Sequence, residues 1–285
     1  MASLNEIPFV KGHGTANDFV IIADLDGRRV LTDQDVQFIC DRHTGIGADG
    51  VLRVVRTLQL PEFVDQADTA EFFMDYRNSD GSIAEMCGNG IRVFVRYLDA
   101  VGLITEADVA VGTRGGVRHC RMNSDLSITV DMGPVTVLDT KAIPLIGIQD
   151  ELWPAVGVFM PNPHAVTFVE SLEEVGSLEV APPVLPPTIF PNGVNVEFVV
   201  YRGPNHVAMR VHERGAGETM SCGTGACAVA WASARNYPDM DIASERGIQV
   251  DVPGGTVYVR QIENGNLSLT GPATLVARGN VLLPA

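Results

Sequence analysis

The chain has 285 residues, with 46% hydrophobic, 19% charged and 6% aromatic side chains, the profile of a globular protein large enough to bury a core without a metal or disulfide staple. A formal charge of -15, with the basic side chains scattered and grouped no more tightly than Arg28-Arg29 or the spaced Arg114, Arg118 and Arg121, argues against nucleic acid and anionic membranes as partners. The N-terminal stretch MASLNEIPFVKGHG has neither a basic nor an apolar leader region, and no run of about 18 apolar residues follows, so a cytoplasmic location is expected.

In chain order, Asp18–Ile22 reads as a strand, and Asp33–Arg42 as a helix. The glycine turn Gly45-Ile46-Gly47-Ala48-Asp49-Gly50 follows, leading into a strand at Val51–Val55. That turn satisfies G-x-G-x-x-G, but a dinucleotide loop follows a strand and opens a helix, whereas here the order is inverted. It is read as a turn beside a site. Glu71–Met74 is the next strand. Ile91, Phe94, Val95 and Leu98 then fall at helical spacing, with Arg92, Arg96 and Asp99 on the opposite side. Pro182, Pro183, Pro186 and Pro187 mark a stiff loop. Strands are expected at Val194–Val200, Val207–Val211 and Thr256–Val259, and a helix apolar almost all round at Ala226–Ala234.

The chain also repeats itself. At an offset of 135 residues, Phe72–Gly90 aligns without gaps with Val207–Gly225, pairing Met74 with Met209 and Cys87-Gly88-Asn89-Gly90 with Cys222-Gly223-Thr224-Gly225. Farther on, Gly115-Gly116-Val117 matches Gly254-Gly255-Thr256, and Gly133-Pro134 matches Gly271-Pro272. Two halves are expected, residues 1–132 with 272–285 and residues 133–271, facing each other about a pseudo-two-fold axis with Cys87 and Cys222 confronting one another.

Each C-G-x-G follows a strand and opens a helix, where glycines let backbone N–H groups approach an anion at the positive end of the helix dipole. The same field lowers a thiol's pKa. The five cysteines are odd in number and contain no C-x-x-C, so neither a disulfide framework nor a zinc ribbon is signalled, and free thiols in a reducing compartment are expected. Cys40, Cys120 and Cys227 read as small buried hydrophobes. Cys87 and Cys222, at equivalent points of a duplicated unit, read as functional. Two thiols on opposite sides of one anion site suit removal of a proton from one face of a carbon beside a carboxylate and its return to the other: racemisation or epimerisation.

Together these motifs resemble the diaminopimelate epimerase family, through KGHGTANDFVII, DRHTGIGADGVL, NSDGSIAEMCGNGIR, MPNPHAVTF, FPNGVNVEFV and ERGAGETMSCGTGACAVA. The resemblance implies an isomerase that interconverts LL- and meso-diaminopimelate for lysine and peptidoglycan precursors, without pyridoxal phosphate, metal or other cofactor. It implies an α/β (α+β) fold of two pseudo-symmetric domains, each a curved, mainly antiparallel sheet around a central helix, with the C-terminal strand returning to the first domain and the site in the cleft. A homodimer is the expected assembly and diaminopimelate the small-molecule partner. Carried over by position, Cys87 and Cys222 are the acid/base pair, and Gly88, Asn89, Gly223 and Thr224 present donors to the reacting carboxylate. Asn17, Asn78, Asn162, Asn195, Glu213 and Arg214 hold the ammonium groups and distal carboxylate, while His164 with Glu213 tunes the cysteines.

Each has a plainer reading. Asn78, Asn162 and Asn195 stand in turn-like or strand-end contexts where Asn bonds its own backbone, Arg214 beside Glu213 could be a surface pair, and His164 a satisfied structural histidine. Thr15 and Ala16 depart from the family pattern, which has a larger apolar residue and Gly there, and Gly50 stands where some members have Gln; the chemistry is expected to survive. Three rivals are a proline or hydroxyproline racemase, which would lack the distal clamp of Arg214, a thiol redox sensor or metal protein, and a nucleotide-binding module resting on Gly45–Gly50 alone.

Overall fold

The computed structural model describes residues 5–138 and 142–284, as two compact units: residues 5–130 with 272–284, and Asp131–Gly271. The fold is mixed α+β, mainly antiparallel, with few helices.

In the first unit, Asn5–Gly14 and Asn17–Ala23 form an antiparallel hairpin. The chain then crosses through helix α1 (Asp33–Cys40) to lay Gly50–Arg56 parallel to Asn17–Ala23, and Phe72–Asn78 returns antiparallel. A second crossover, through helix α2 (Gly88–Ala100), sets Asp108–Gly112 parallel to Phe72–Asn78. Arg118–Met122 and Ile128–Gly133 complete the sheet antiparallel, and the C-terminal strand Thr274–Leu283 adds antiparallel to Asn5–Gly14. Parallel neighbours need such long crossovers, whereas antiparallel ones need only a turn.

The second unit repeats this order of pairings. Glu151–Phe159 and Pro163–Phe168 form a hairpin, Asn195–Gly203 lies parallel to Pro163–Phe168, and His206–Glu213 returns antiparallel. Helix α3 (Gly223–Asn236) crosses over to Ile248–Val252, parallel to His206–Glu213. Gly255–Gln261 and Leu267–Gly271 follow antiparallel. The sequence repeat shows only from Phe72 and Val207 onward, but the pairing repeat begins three strands earlier in each unit. Between the prolines the expected stiff loop holds a two-residue strand, Val184–Leu185, paired with Leu145–Ile148.

Helix α1 begins at Thr32, whose hydroxyl accepts from Asp35 N–H while the Asp35 carboxylate accepts from Thr32 N–H, a reciprocal cap. Helix α2 packs against the strands of its own unit. Ile91, Phe94, Val95 and Leu98 are wholly buried, at about 1.5–3 kcal/mol each. Arg92, assigned to the polar face, is instead 0% exposed. Its guanidinium donates to Gly88 O, Pro272 O and Thr15 Oγ1, so an arginine near the start of the helix is tolerated inside because oxygens surround its fork. Helix α3 is buried almost all round from Gly223 to Ser233, Thr224 excepted, as its uniformly small and apolar sequence requires.

Candidate active site

Cys87 and Cys222 are each the N-cap of the central helix of their unit, with nearly the same extended backbone, φ -137 and ψ 120 against φ -119 and ψ 115. The Gly90 N–H donates to Cys87 Sγ at 3.3 Å, and the Gly225 N–H to Cys222 Sγ at 3.3 Å. The next amides, of Ile91 and Ala226, donate to the cysteines' own carbonyls at 2.9 Å. Gly88 and Asn89, or Gly223 and Thr224, thus form the first helical positions beside a thiol, at the positive end of the helix dipole, where anions are favoured.

In the first unit, Asn17 opens its strand beside Cys87. Cys87 Sγ lies 3.7 Å from Asn17 Oδ1, which also accepts from Asn89 Nδ2 at 3.2 Å. Asn17 Nδ2 donates to Asp49 Oδ2 at 2.7 Å. Asp49 comes from the glycine turn, and its carboxylate also takes Arg42 and the Asp18 N–H. Thr15 and Ala16, with φ of 50 and 61, turn the chain between the first two strands. The Thr15 hydroxyl joins Asn89 Oδ1 to the Arg92 guanidinium. Asn78 reaches the same end of the sheet, paired opposite Gly50, but its Nδ2 donates to Ser82 Oγ at 3.0 Å in the turn that follows, the local use also open to it from sequence.

In the second unit, strand register gathers the rest. His164 pairs with Asn195, and the neighbouring strand ends at Glu213 beside them. Cys222 Sγ is 3.4 Å from Thr224 Oγ1 and donates to Glu213, whose Oε1 also accepts from Thr219 Oγ1 at 2.6 Å. Asn195, 5% exposed, accepts the Arg214 N–H at 2.8 Å, and the exposed Arg214 guanidinium donates to Asn192 O at 2.9 Å rather than to Glu213. Arg214 also lines a pocket of about 250 Å³ with Phe190, Val194 and His212, which the cysteine does not enter. His164, fully buried, meets Glu197 Oε1 through Nδ1 at 2.6 Å and Asn162 Oδ1 through Nε2 at 3.0 Å.

The electrostatics of Cys222 reverse the expectation from its helix. Burial pushes its thiol well above the usual value, and the carboxylates of Glu213 and Glu197 push it further. The Thr224 hydroxyl and Gly225 amide pull the other way and are outweighed, first by burial and then by the two carboxylates, whose whole charges exceed the fractional charge of a helix end. Burial likewise raises Glu213. Cys222 therefore rests as a thiol, the form of an acid. The three cysteines assigned to packing are buried, and Cys40 is pushed up to about 12 by burial and by Asp18 and Asp49.

Glu197 and Asp49 escaped the sequence reading. Glu197 is an acid inside the apolar run Val194–Val200, the one signal that marks it, and Asp49 lies in the glycine turn, read as beside a site without a role for its carboxylate. Among the described residues no group of His, Cys, Asp and Glu is arranged to hold a metal ion, and no helix is long and apolar enough to cross a membrane.

Comparison with known proteins addresses the whole chain. The model of the diaminopimelate epimerase family matches residues 9–138 and 157–276. Curated diaminopimelate epimerases are 51% identical in Streptomyces coelicolor, over 96% of this chain and 94% of that protein, and 48% identical in Thermobifida fusca, over 97% and 98%. Among solved structures, a PhzF-family phenazine biosynthesis protein of Bacillus anthracis shares the fold with a TM-score of 0.67 at 18% identity, covering 98% of this chain and 100% of that one. A hydroxyproline epimerase of Agrobacterium vitis does so with a TM-score of 0.66 at 12% identity, covering 99% and 94%. Matched along nearly its full length, with both C-G-x-G helix caps in place, the chain belongs to the diaminopimelate epimerase family and is an isomerase.

Proposed function

We propose that this protein interconverts LL- and meso-diaminopimelate by a two-base mechanism in which Cys87 and Cys222 act on opposite faces of one α-carbon. The observation that carries the reading is the duplicated cap: in each unit a cysteine stands at the mouth of a helix whose first amides can hold a carboxylate. A carboxylate so held has its charge partly neutralised, which eases loss of the adjacent α-proton. One cysteine, as thiolate, takes that proton and becomes a thiol. The other, as thiol, gives its own proton to the opposite face and becomes the thiolate, so one turnover inverts the centre and exchanges the two cysteines' roles. The raised pKa of Cys222 supports its starting as the acid.

Gly88, Asn89, Gly223 and Thr224 then offer donors to the reacting carboxylate. Asn17, Asn78, Asn162, Asn195, Glu213 and Arg214 recognise the rest of a substrate carrying two ammonium and two carboxylate groups, and His164 with Glu213 tunes the thiols. Arg214 suits the distal carboxylate because its fork can grip two oxygens. In this reading the protein is a cytoplasmic homodimer serving lysine and peptidoglycan precursor synthesis.

The test is turnover in deuterated water. Early product should carry deuterium at the inverted centre while recovered substrate carries little, and Cys87→Ala and Cys222→Ala should each stop epimerisation. Product that keeps the substrate's own α-hydrogen, or wild-type rates in either variant, would defeat the mechanism.

A further inference from the structure

Glu197 stands where an apolar side chain would pack more cheaply. It lies in strand Asn195–Gly203 between Val196 and Phe198, is wholly buried, and its Oε2 has no hydrogen-bond partner. An ion there is strongly disfavoured unless a partner compensates. The compensation is on the other oxygen, which sits 2.6 Å from His164 Nδ1. That oxygen also lies 2.8 Å from the point where a Cβ on Gly225 would stand, so the carboxylate is pressed against the first turn of α3.

The donor rules then fix the ring. With Glu197 as a carboxylate its Oε1 accepts from Nδ1, and with the Asn162 amide oxygen toward the ring its Oδ1 accepts from Nε2 at 3.0 Å, an arrangement that uses a proton on each ring nitrogen. In that arrangement His164 donates on both sides and Glu197 stands beside it as a counter-charge. Asn162, bound through its oxygen, has its NH2 turned away from the ring.

We propose that Glu197 is a positioning residue that, by holding both protons on His164, fixes the Asn162 amide so that it meets the substrate as a donor, toward a carboxylate rather than an ammonium group. The inference rests on the diaminopimelate reading above for the substrate's identity. In Glu197→Gln the counter-charge is lost, Nε2 becomes an acceptor, and the Asn162 amide rotates to satisfy it, presenting its carbonyl to a carboxylate. Glu213, at the end of strand His206–Glu213 and beside Cys222, is a second carboxylate that feels His164, and it is retained in this variant.

The test combines spectroscopy and kinetics. In protein labelled with ¹⁵N-histidine, with the His164 signals assigned by their loss in His164→Asn, both ring nitrogens should read as protonated near neutral pH. Glu197→Gln should lose one of these protons, and Glu197→Asp, which keeps the charge, should retain both. Glu197→Gln should raise KM for diaminopimelate on the order of tenfold with kcat changed much less, and should add nothing to the KM of Asn162→Ala. Retention of both protons in Glu197→Gln, or KM effects of Glu197→Gln and Asn162→Ala that multiply, would overturn the proposal. If Glu197→Gln fails to fold, loss of a ring proton in Glu197→Asp overturns it and retention supports it. A wild-type protein inactive on diaminopimelate would refute the function, and the ¹⁵N spectra would still decide whether Glu197 sets the protons of His164.

Discussion

Asn17 donates from Nδ2 to Asp49 Oδ2 at 2.7 Å, and that bond decides which way the Asn17 amide faces. With its NH2 held by a carboxylate, its oxygen is the atom left toward Cys87 Sγ and Asn89 Nδ2. An amide free to flip would offer Cys87 a donor half the time and lose its grip on Asn89. Asp49→Ala should therefore lower kcat/KM by about 10²-fold, the scale of misplacing a reacting group by about 1 Å. Asp49→Asn, which can still accept from Asn17, should fall between that variant and wild type. Steady-state kinetics of the two variants check the ranking, and equal losses would remove Asp49 from the positioning of Cys87.

The carboxylates beside Cys222 predict a pH effect of definite sign. Burial is the largest cause of its raised pKa, and the negative charges of Glu213 and Glu197 add to it. Removing one charge must lower it. In Glu213→Gln, alkylation of Cys222 by iodoacetamide, followed by peptide mass spectrometry between about pH 6 and 10, should begin at lower pH than in wild type. An onset that stays put, or moves up, would mean that the charge is not felt at the sulfur.

Much of this arrangement is visible in the sequence because glycine and cysteine leave few options. A C-G-x-G between a strand and an apolar helix can only be a cap, and both caps form. The alternation and β-branching of Val207–Val211 and Asp18–Ile22 likewise become strands, His206–Glu213 and Asn17–Ala23. What periodicity cannot convey is partnership across the sheet. Glu197 joins His164 only because two strands far apart in sequence run parallel in that register. Arg92 sits on the polar side of a helical wheel, yet two of its partners, Thr15 and Pro272, lie outside the wheel. The thiol pKa of Cys222 departs from expectation for a related reason: the helix end is a local property, whereas the burial that chiefly overrules it, and the two carboxylates that add to it, come from the packing of other strands.

Asp75 offers a stability test independent of the chemistry. Its side chain is 4% exposed and bonds Arg114 at 2.7 Å and Arg53 at 2.9 Å, and these partners outweigh burial and hold its pKa below the ordinary 3.8. A carboxyl with a lowered folded-state pKa stabilises above its unfolded value, and that contribution is lost as pH falls through the folded one. Asp75→Asn should thus cost about 3 kcal/mol near neutral pH, by leaving Arg114 without its carboxylate and Arg53 with Asp24 alone. Urea unfolding of both proteins should show this gap narrowing once pH falls below about 4. A gap independent of pH would assign the loss to packing.

The two caps are alike in sequence and hydrogen bonding but not in the room behind their third residue, so the same substitution should act differently in each. In a helix alanine is favoured over glycine by about 1 kcal/mol, which taken alone would make both changes helpful. A Cβ on Gly90 would meet Leu52 Cδ2 at 3.3 Å, the end of a flexible side chain, and Cys87 Cβ at 3.3 Å within its own turn. A Cβ on Gly225 would meet Glu197 Oε1 at 2.8 Å, and Glu197 is enclosed and tied to His164, so it cannot withdraw without breaking that bond. Gly225→Ala should therefore destabilise the protein by about 1–3 kcal/mol, the usual cost of overpacking. It should also lower kcat/KM on the order of 10²-fold as His164 and Cys222 shift. Gly90→Ala should fold at close to wild-type stability and keep activity within about tenfold. Urea titrations and kinetics on both variants decide the matter: equal effects at the two glycines would mean that Glu197 yields, and that the contact behind Cys222 is not the constraint its geometry implies.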